Sequence, residues 1–390
     1  MILFYLGYKA VRSSEIEISK IVQWSVLFSF LMALSIPGNS SDLYGYISRG
    51  AQQTLFHQNP YFETVNLIPD YNKNPLFVNF MWPFMPTSYG PVFIYLTKLI
   101  VFLSNNNFLS SFINFKFLNL TLFLYLVLFL LKDNKPENVY LIAWNPFILI
   151  QGLWNCHNDL IAAGLILIGL SLFLKENYFW GIFCLTVAVG VKYLAILLIP
   201  VLFLYILRSK GKHIGLPLLG FLSGVLLIAI FSTDYLFSLK NISPQLIENI
   251  SLSHKSFANC LFTLVKYFSF WQNLNLDLNL VNKIIRCFLY ASFGLFYIYI
   301  LTRKKSDLIS DIALLIFIFL SFVTAKFHSW YLLNLIMLLP LLKDGLLKNI
   351  FIVLSMSHTF AITFLDQAKI LNFISMTLLP VLFVMFRRKK

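Results

Sequence analysis

Residues 21–50 read IVQWSVLFSFLMALSIPGNSSDLYGYISRG and join an apolar segment of membrane length to a polar loop that begins near Gly38. Asp42 therefore lies just where the first membrane helix would leave the bilayer. A carboxylate at such a place is unfavourable unless it is solvated or used in function. The stretch predicts a helical membrane protein whose chemistry lies in the loop after the first span.

The composition supports this interpretation. Of the 390 residues, 59% are hydrophobic and only 12% are charged, and the mean hydropathy is +0.78. A soluble protein typically carries about 25% charged residues. The formal net charge of +14 does not indicate a nucleic-acid-binding protein, because the basic residues form short clusters between apolar segments. Residues 1–8 are apolar but too short to span, and we expect a retained N-terminus without a cleaved signal peptide.

Twelve apolar segments are predicted to span the membrane, giving an all-α polytopic fold with a single membrane-embedded domain over residues 1–390. Their approximate bounds are 20–37, 112–132, 138–153, 159–174, 178–191, 193–207, 214–232, 280–302, 308–324, 330–342, 349–364 and 370–387. The tract 178–207 is divided at Lys192, because a lysine in the middle of one span would be unfavourable. Segment 91–104 is short, opens with Pro91 and contains Lys98, which indicates an interfacial helix that does not span.

The basic residues set the predicted orientation. With these spans, most of them fall in short loops and tails on one side, which the positive-inside rule makes cytoplasmic. Two long loops, 38–111 and 233–279, then face outward, and we expect short interfacial helices in the first of them. The cytoplasmic loops carry little but charge, so the function is predicted to face outward.

Asp42 is the candidate general base. A sugar transfer that inverts the anomeric centre needs one carboxylate to take the proton of the acceptor hydroxyl. The alternative is a helix cap, since Ser-Ser-Asp precedes an apolar helical stretch. Arg49 follows about two turns later on the same helical face, where it can pair with Asp42, contact a phosphate or remain a solvated interfacial residue.

Further polar and aromatic residues cluster at the predicted outer boundary. Asn59, Tyr61 and Tyr89 belong to Asn-Pro-Tyr and Tyr-Gly-Pro turns that can line a sugar-binding wall, although an interfacial aromatic belt explains them too. Three residues at a helix start, His157, Asn158 and Asp159, either shape an active site or cap the helix. Four cationic or aromatic residues either contact a departing phosphate or extend to lipid headgroups; they are Lys192, Lys326, His328 and Trp330.

Several cofactor signatures are missing from the sequence. The four cysteines form no CxxC pair and lack metal-ligand spacing, and the outer loops contain no Asp-x-Asp pair. Phosphate-binding and dinucleotide-binding glycine motifs do not occur, nor does a serine nucleophile elbow. We therefore predict no metal and no cofactor, and a lipid-phosphate donor suits an outward-facing site better than a nucleotide.

The order of the motifs resembles the GT-C superfamily of integral-membrane glycosyltransferases. The chain is most similar to bacterial mannosyltransferases that use polyprenyl-phosphate mannose. The resemblance runs from about residue 38 to 200 and rests on Asp42-Leu43-Tyr44-Gly45-Tyr46, Arg49-Gly50, Asn59-Pro60-Tyr61, Tyr89-Gly90-Pro91, Asn145-Pro146, His157-Asn158-Asp159 and Lys192-Tyr193…Pro200, with a weaker echo at Phe327–Tyr331.

This resemblance implies a catalytic aspartate at Asp42 and an inverting transfer from a polyprenyl-phosphate sugar. Mannose is the expected sugar, because the enzymes that the chain resembles transfer mannose. The expected partners are that donor, a glycolipid or glycan acceptor and the lipids of a bacterial inner membrane, with the active site facing outward. Two rival functions remain open. A flippase or transporter of lipid-linked saccharides often has internal repeats and charges near the mid-membrane, and a polysaccharide polymerase or ligase is expected to have a large outer loop late in the chain.

Overall fold

The computed structural model of the chain describes residues 2–38, 40–209, 214–236, 256–303, 307–324, 327–360 and 373–387. Within these ranges the chain forms helices joined by turns and contains no strand. It divides into two compact units, Ile2–Asn249 and Ile250–Lys390. The expectation of one domain over 1–390 stays a prediction.

The first unit contains ten of the longer helices of the described chain. They are α1 (Ile2–Arg12), α2 (Ile18–Leu34), α3 (Asp42–Leu55), α4 (Pro91–Leu103), α5 (Phe108–Leu131), α6 (Pro136–Ala143), α7 (Asp159–Leu174), α8 (Tyr178–Val191), α9 (Ile199–Ser209) and α10 (Gly215–Leu236). Their packed faces are apolar, as expected for helices that bury one side against neighbours. Short 3-10 turns fill the chain between α3 and α4 at Val65–Leu67, Tyr71–Lys73 and Pro75–Phe77.

Among the residues that the structure describes, three helices are long and apolar enough to cross a membrane. They are Phe108–Leu131, Gly215–Tyr235 and Leu278–Thr302, and several other apolar helices have 10–17 residues. The structure therefore supports a helical membrane protein, whereas the number of twelve spans stays a prediction. Helix α4 has 13 residues and rises only about 20 Å, which is shorter than a bilayer core of about 30 Å.

Two breaks in the helices match the sequence. Helix α6 ends before Asn145, whose side-chain oxygen accepts a hydrogen bond from the amide of Phe147 at 3.0 Å, and Pro146 then starts a new turn. A π-helical stretch, Leu149–Trp154, continues to the His157 turn. Helix α8 ends at Val191, so that Lys192 is extended rather than helical, as the division at Lys192 predicts.

The second unit contains α11 (Phe257–Trp271), α12 (Leu278–Thr302), α13 (Leu308–Ile318), α14 (Leu346–Phe360) and α15 (Leu379–Arg387). Helix α11 lies within 233–279, so this predicted loop contains a helix. The hydroxyl of Ser256 caps this helix by accepting a hydrogen bond from the amide of Asn259 at 3.2 Å. The predicted span 330–342 is a series of short helical turns, Ser329–Leu332, Leu333–Ile336 and Leu339–Leu341, rather than one helix.

Candidate active site

Helix α3 presents Asp42 at its first turn. Ser41 is the N-cap residue, but its side chain makes no capping hydrogen bond, and the hydroxyl of Ser40 instead accepts from the backbone amide of Asp42 at 3.1 Å. The Asp42 side chain is 15% exposed. The carboxylate is thus held at the edge of the fold, with part of its surface still accessible.

The carboxylate of Asp42 contacts a histidine from a distant part of the chain. Oδ2 of Asp42 lies 2.9 Å from Nδ1 of His157, and the His157 side chain is fully buried. Because an ionised carboxylate can only accept, the proton in this contact belongs to Nδ1 of the imidazole. The contact fixes the orientation of the carboxylate and the tautomer of the ring.

Tyr46 binds the next residue of the same turn. The amide of Asn158 donates to the Tyr46 hydroxyl at 3.0 Å, and that hydroxyl donates to the side-chain oxygen of Asn158 at 3.4 Å. Burial raises the pKa of Tyr46 well above its usual value, so the hydroxyl keeps its proton at working pH. Within the described chain, the buried side-chain nitrogen of Asn158 has no hydrogen-bond partner.

Asp159 completes the turn through an ion pair. Its Oδ1 lies 2.5 Å from Nζ of Lys192, and the side chains are 1% and 19% exposed. The extended conformation of Lys192 after the end of α8 allows this reach. The three consecutive residues thus bind three different partners, and we call the group Asp42, Tyr46, His157, Asn158, Asp159 and Lys192 the Asp42 cluster.

A buried lysine of helix α5 supports the chain before this turn. The ammonium of Lys116 donates to the carbonyls of Ser35, Leu153 and Trp154 at 2.8, 3.0 and 2.6 Å. These carbonyls lie at the ends of α2 and of the π-helical stretch, where backbone acceptors lack partners. Lys116 therefore joins the segment after the first span to the segment that leads into His157.

Asn119 lies about one turn further along α5 and contacts the same region. Its side-chain nitrogen lies 2.6 Å from Sγ of Cys156, which is fully buried and has a φ of 59°. A left-handed non-glycine residue costs about 1–3 kcal/mol unless its surroundings hold it. The strained position directly precedes His157, so α5 helps to define where the His157 turn begins.

The predicted aromatic turns hold the 38–111 loop together. Asn59 accepts from the amide of Tyr61 and donates to the carbonyl of Tyr235, both at 3.0 Å. The Tyr61 hydroxyl donates to the carbonyl of Tyr89 at 2.7 Å. The amide of Gly90 bonds to Val191 at 3.1 Å. These contacts place Tyr89 beside Val191, the last residue of α8, which directly precedes Lys192.

Gly90 is required for that approach. A Cβ atom at this position would lie 2.2 Å from the carbonyl oxygen of Gly190. The two backbone segments can approach this closely because glycine has no Cβ atom. The Tyr-Gly-Pro motif therefore has a structural reason in addition to any role in binding a sugar.

Arg49 is buried and faces the outer loop. It donates to Gln52 at 2.9 Å and to the carbonyl of Met85, and its guanidinium lies 5.2 Å from the centre of the Phe80 ring. Burial lowers the pKa of Arg49 to about 10, so it remains charged at neutral pH. These contacts support the loop wall, and a direct contact with a phosphate stays a prediction.

The remaining predicted site residues belong to the second unit. The rings of His328 and Trp330 are stacked with centroids 4.4 Å apart. Lys326 lies outside the described residues. In the ranges that the structure describes, no group of three or more His, Cys, Asp or Glu residues is arranged to hold a metal ion. The proposed donor-binding role of these three residues stays a prediction.

Sequence reasoning missed Tyr46, Lys116 and Asn119 as parts of this region. Tyr46 had a signal, since it lies four residues after Asp42 and therefore on the same helical face. Lys116 also had one, because a lysine within a predicted span needs a partner. Asn119 had no signal, because its contact with Cys156 depends on how two distant segments pack.

A profile described as "Alpha-(1->6)-mannopyranosyltransferase, N-terminal domain" (MptA_B family) matches residues 2–208, which is more than half of the chain. The chain belongs to this family. The matched range contains the whole Asp42 cluster. Family membership confirms the resemblance to bacterial mannosyltransferases that the motifs indicate.

Two curated relatives carry the same family name. An alpha-(1->6)-mannopyranosyltransferase A of Mycobacterium tuberculosis is 26% identical over 247 residues, covering 60% of this chain and 47% of the relative. An alpha-(1->6)-mannopyranosyltransferase A of Corynebacterium glutamicum is 24% identical over 177 residues, covering 43% and 35%. The matched part of the chain thus spans less than half the length of these relatives.

Proposed function

We propose that the protein transfers mannose, with inversion, from a polyprenyl-phosphate donor to an acceptor hydroxyl on the outer face of a bacterial inner membrane. The observation that carries the proposal is the 2.9 Å contact between Asp42 and the buried His157. It places an oriented, partly exposed carboxylate within the range matched by a mannosyltransferase family.

Asp42 is the general base of this reaction. His157 binds Oδ2 and orients the carboxylate, which accepts the proton of the acceptor hydroxyl. The acceptor oxygen forms a bond to the anomeric carbon while the bond from that carbon to the phosphate oxygen breaks. The proton goes to Asp42, the sugar goes to the acceptor, and polyprenyl phosphate departs on the opposite face.

Lys192 stabilises the departing phosphate. Its ammonium is held by Asp159 and remains 19% exposed, so a fixed positive charge faces the site. A preorganised charge of this kind favours the state in which negative charge develops on the leaving group. Lys326, His328 and Trp330 are proposed to bind the lipid-phosphate donor, and the proposal needs no metal or other cofactor.

The donor sugar is bound by the residues around the base. His157, Asn158 and Asp159 shape its pocket, and Tyr46 holds Asn158 in place. Asn59, Tyr61 and Tyr89 supply an adjoining polar and aromatic wall, since aromatic rings pack well against the apolar faces of sugars. Arg49 supports the neighbouring loop through its bond to the carbonyl of Met85.

The test is a transfer assay with radiolabelled polyprenyl-phosphate mannose, using membranes that contain the full chain and a bacterial lipid extract as acceptor. Wild type should transfer label, and Asp42→Asn should lose most activity because the amide cannot take a proton. Asp133→Asn is the matched control, since Asp133 pairs with Lys175 on an exposed surface.

Three results would contradict the proposal. Equal activity of wild type and Asp42→Asn would remove Asp42 as the base. No transfer from polyprenyl-phosphate mannose, combined with movement of lipid-linked saccharides across vesicles, would favour the transporter. Joining of whole repeat units instead of single sugars would favour a polymerase or ligase.

A further inference from the structure

An open cleft of about 500 Å³ lies beside the start of α3. It is lined by Gly38, Ser40, Ser41, Tyr44, Asn79, Phe80 and Met81. The volume lies within the usual range for small-ligand sites, about 300–1,000 Å³. Every one of these lining residues is uncharged, and several carry a hydroxyl or an amide. The cleft therefore suits a neutral polar ligand.

The geometry of α3 puts this cleft next to the base. Ser41, which lines the cleft, directly precedes Asp42. Successive helical residues are rotated by about 100°, which places Gly45 about 60° to one side of Asp42 and Tyr46 about 40° to the other. A Cβ atom on Gly45 would lie 3.0 Å from the Phe80 ring of the cleft wall. On the other side, Tyr46 bonds to Asn158. Asp42 thus lies between the cleft and the His157 turn.

The charges distinguish the two sides. The turn side carries Lys192, paired with Asp159, whereas the lining residues of the cleft offer no cation to a phosphate. Because Lys192 is the cation of the Asp42 cluster, the phosphate of the donor is assigned to the turn side. The acceptor is the substrate that presents a neutral sugar hydroxyl, and it matches the chemistry of the cleft.

We propose that this cleft is the acceptor subsite and binds the terminal neutral sugar of the acceptor glycan. The amide of Asn79 and the hydroxyls of Ser40, Ser41 and Tyr44 bind the sugar hydroxyls, and the ring of Phe80 packs against its apolar face. Arg49, behind Phe80, positions that ring. The inference rests on the proposed function, because it assigns one of the two substrates of that reaction.

Asn79 gives a sharp test. Its φ of 65° lies in the left-handed region, so Asn79→Gly removes the amide without adding strain. Asn105→Gly is the matched control, because Asn105 is also exposed, has a φ of 52° and does not line the cleft. The purified full chain is assayed with radiolabelled polyprenyl-phosphate mannose and an octyl α-(1→6)-linked dimannoside as the acceptor probe.

Asn79→Gly should raise the KM for the dimannoside about three- to tenfold, as expected for one lost hydrogen bond. The KM for the donor should not change, and Asn105→Gly should match wild type in both constants. An unchanged acceptor KM, or an increase confined to the donor KM, would overturn the assignment.

A binding measurement separates this inference from the proposed function. Saturation-transfer NMR with the dimannoside on Asp42→Asn protein needs no transfer. Binding that weakens about three- to tenfold on adding Asn79→Gly, but is unchanged on adding Asn105→Gly, supports the subsite even if wild type fails to transfer mannose. Binding that is equal in both, or undetectable in Asp42→Asn protein, overturns it.

Discussion

Tyr46 shows how one hydroxyl orders the candidate site. It bonds both the amide and the side-chain oxygen of Asn158, and its ring packs edge-on against Phe93 with centroids 4.7 Å apart. The ring belongs to the core and the hydroxyl to the site, so the two contributions can be separated by removing the hydroxyl alone.

We expect Tyr46→Phe to lower stability by about 1–3 kcal/mol, because it leaves buried polar groups of Asn158 without their partner. The kcat for mannose transfer should fall by about 10- to 100-fold if the turn shifts relative to Asp42. Thermal unfolding in detergent and the transfer assay measure both effects. Tyr71→Phe, in the same outer loop, is the control; equal kcat values for the two variants would reduce Tyr46 to a packing residue.

The ion pair of Asp159 and Lys192 is buried, unlike most surface pairs. Lys192→Met leaves a carboxylate that is 1% exposed without its cation, and such a loss typically costs about 3–5 kcal/mol. Lys175→Met breaks a pair whose side chains are 48% and 47% exposed, which should cost at most about 1 kcal/mol. Thermal unfolding of both variants in detergent tests this, and similar midpoints would show that the buried pair does not stabilise the fold.

At the scale of elements, helix α5 supports the turn that carries His157. Lys116 and Asn119 contact the chain on either side of Trp154, directly before the strained Cys156. The helix thus couples the end of α2 to the start of α7, and the His157 turn depends on a helix that contributes no residue to the Asp42 cluster.

Lys116→Met should therefore lower kcat by about 10- to 100-fold while the KM of each substrate changes little, because the turn is displaced rather than removed. Lys98→Met is the control, since Lys98 pairs with Asp234 at a partly exposed position. Steady-state kinetics with both substrates distinguish the variants. A fall in kcat shared by both lysine variants would indicate a general loss of folding.

The sequence predicts where helices end better than it predicts which side chains contact one another. Pro146 and Lys192 mark helix ends because a proline lacks an amide proton and a lysine is unfavourable within a span. Helix α11 was missed, since its mixed polar and apolar residues do not reach the hydropathy of a span. The candidate residues Asp42, His157 and Lys192 were found from polarity at apolar boundaries, but their partners depend on packing between segments far apart in sequence.

At the scale of the whole molecule, the proposal requires the loop 38–111 to face outward and the α5–α6 connection to face the cytoplasm. Lys73 and Asp133 represent the two sides, and their side chains are 76% and 47% exposed. Lys73→Cys should react with a membrane-impermeant maleimide in intact spheroplasts, whereas Asp133→Cys should react only after permeabilisation. Both are made in a Cys287→Ser background, because Cys287 is exposed.

The opposite labelling pattern would place Asp42 on the cytoplasmic side, where nucleotide sugars are available and a lipid-phosphate donor is no longer required. Labelling of both cysteines without permeabilisation would show that the two loops lie on the same, outer side of the membrane. The expected pattern would place the partly exposed carboxylate of Asp42 in the compartment where a polyprenyl-phosphate sugar is the available donor. The charge distribution of the chain would then agree with its proposed chemistry.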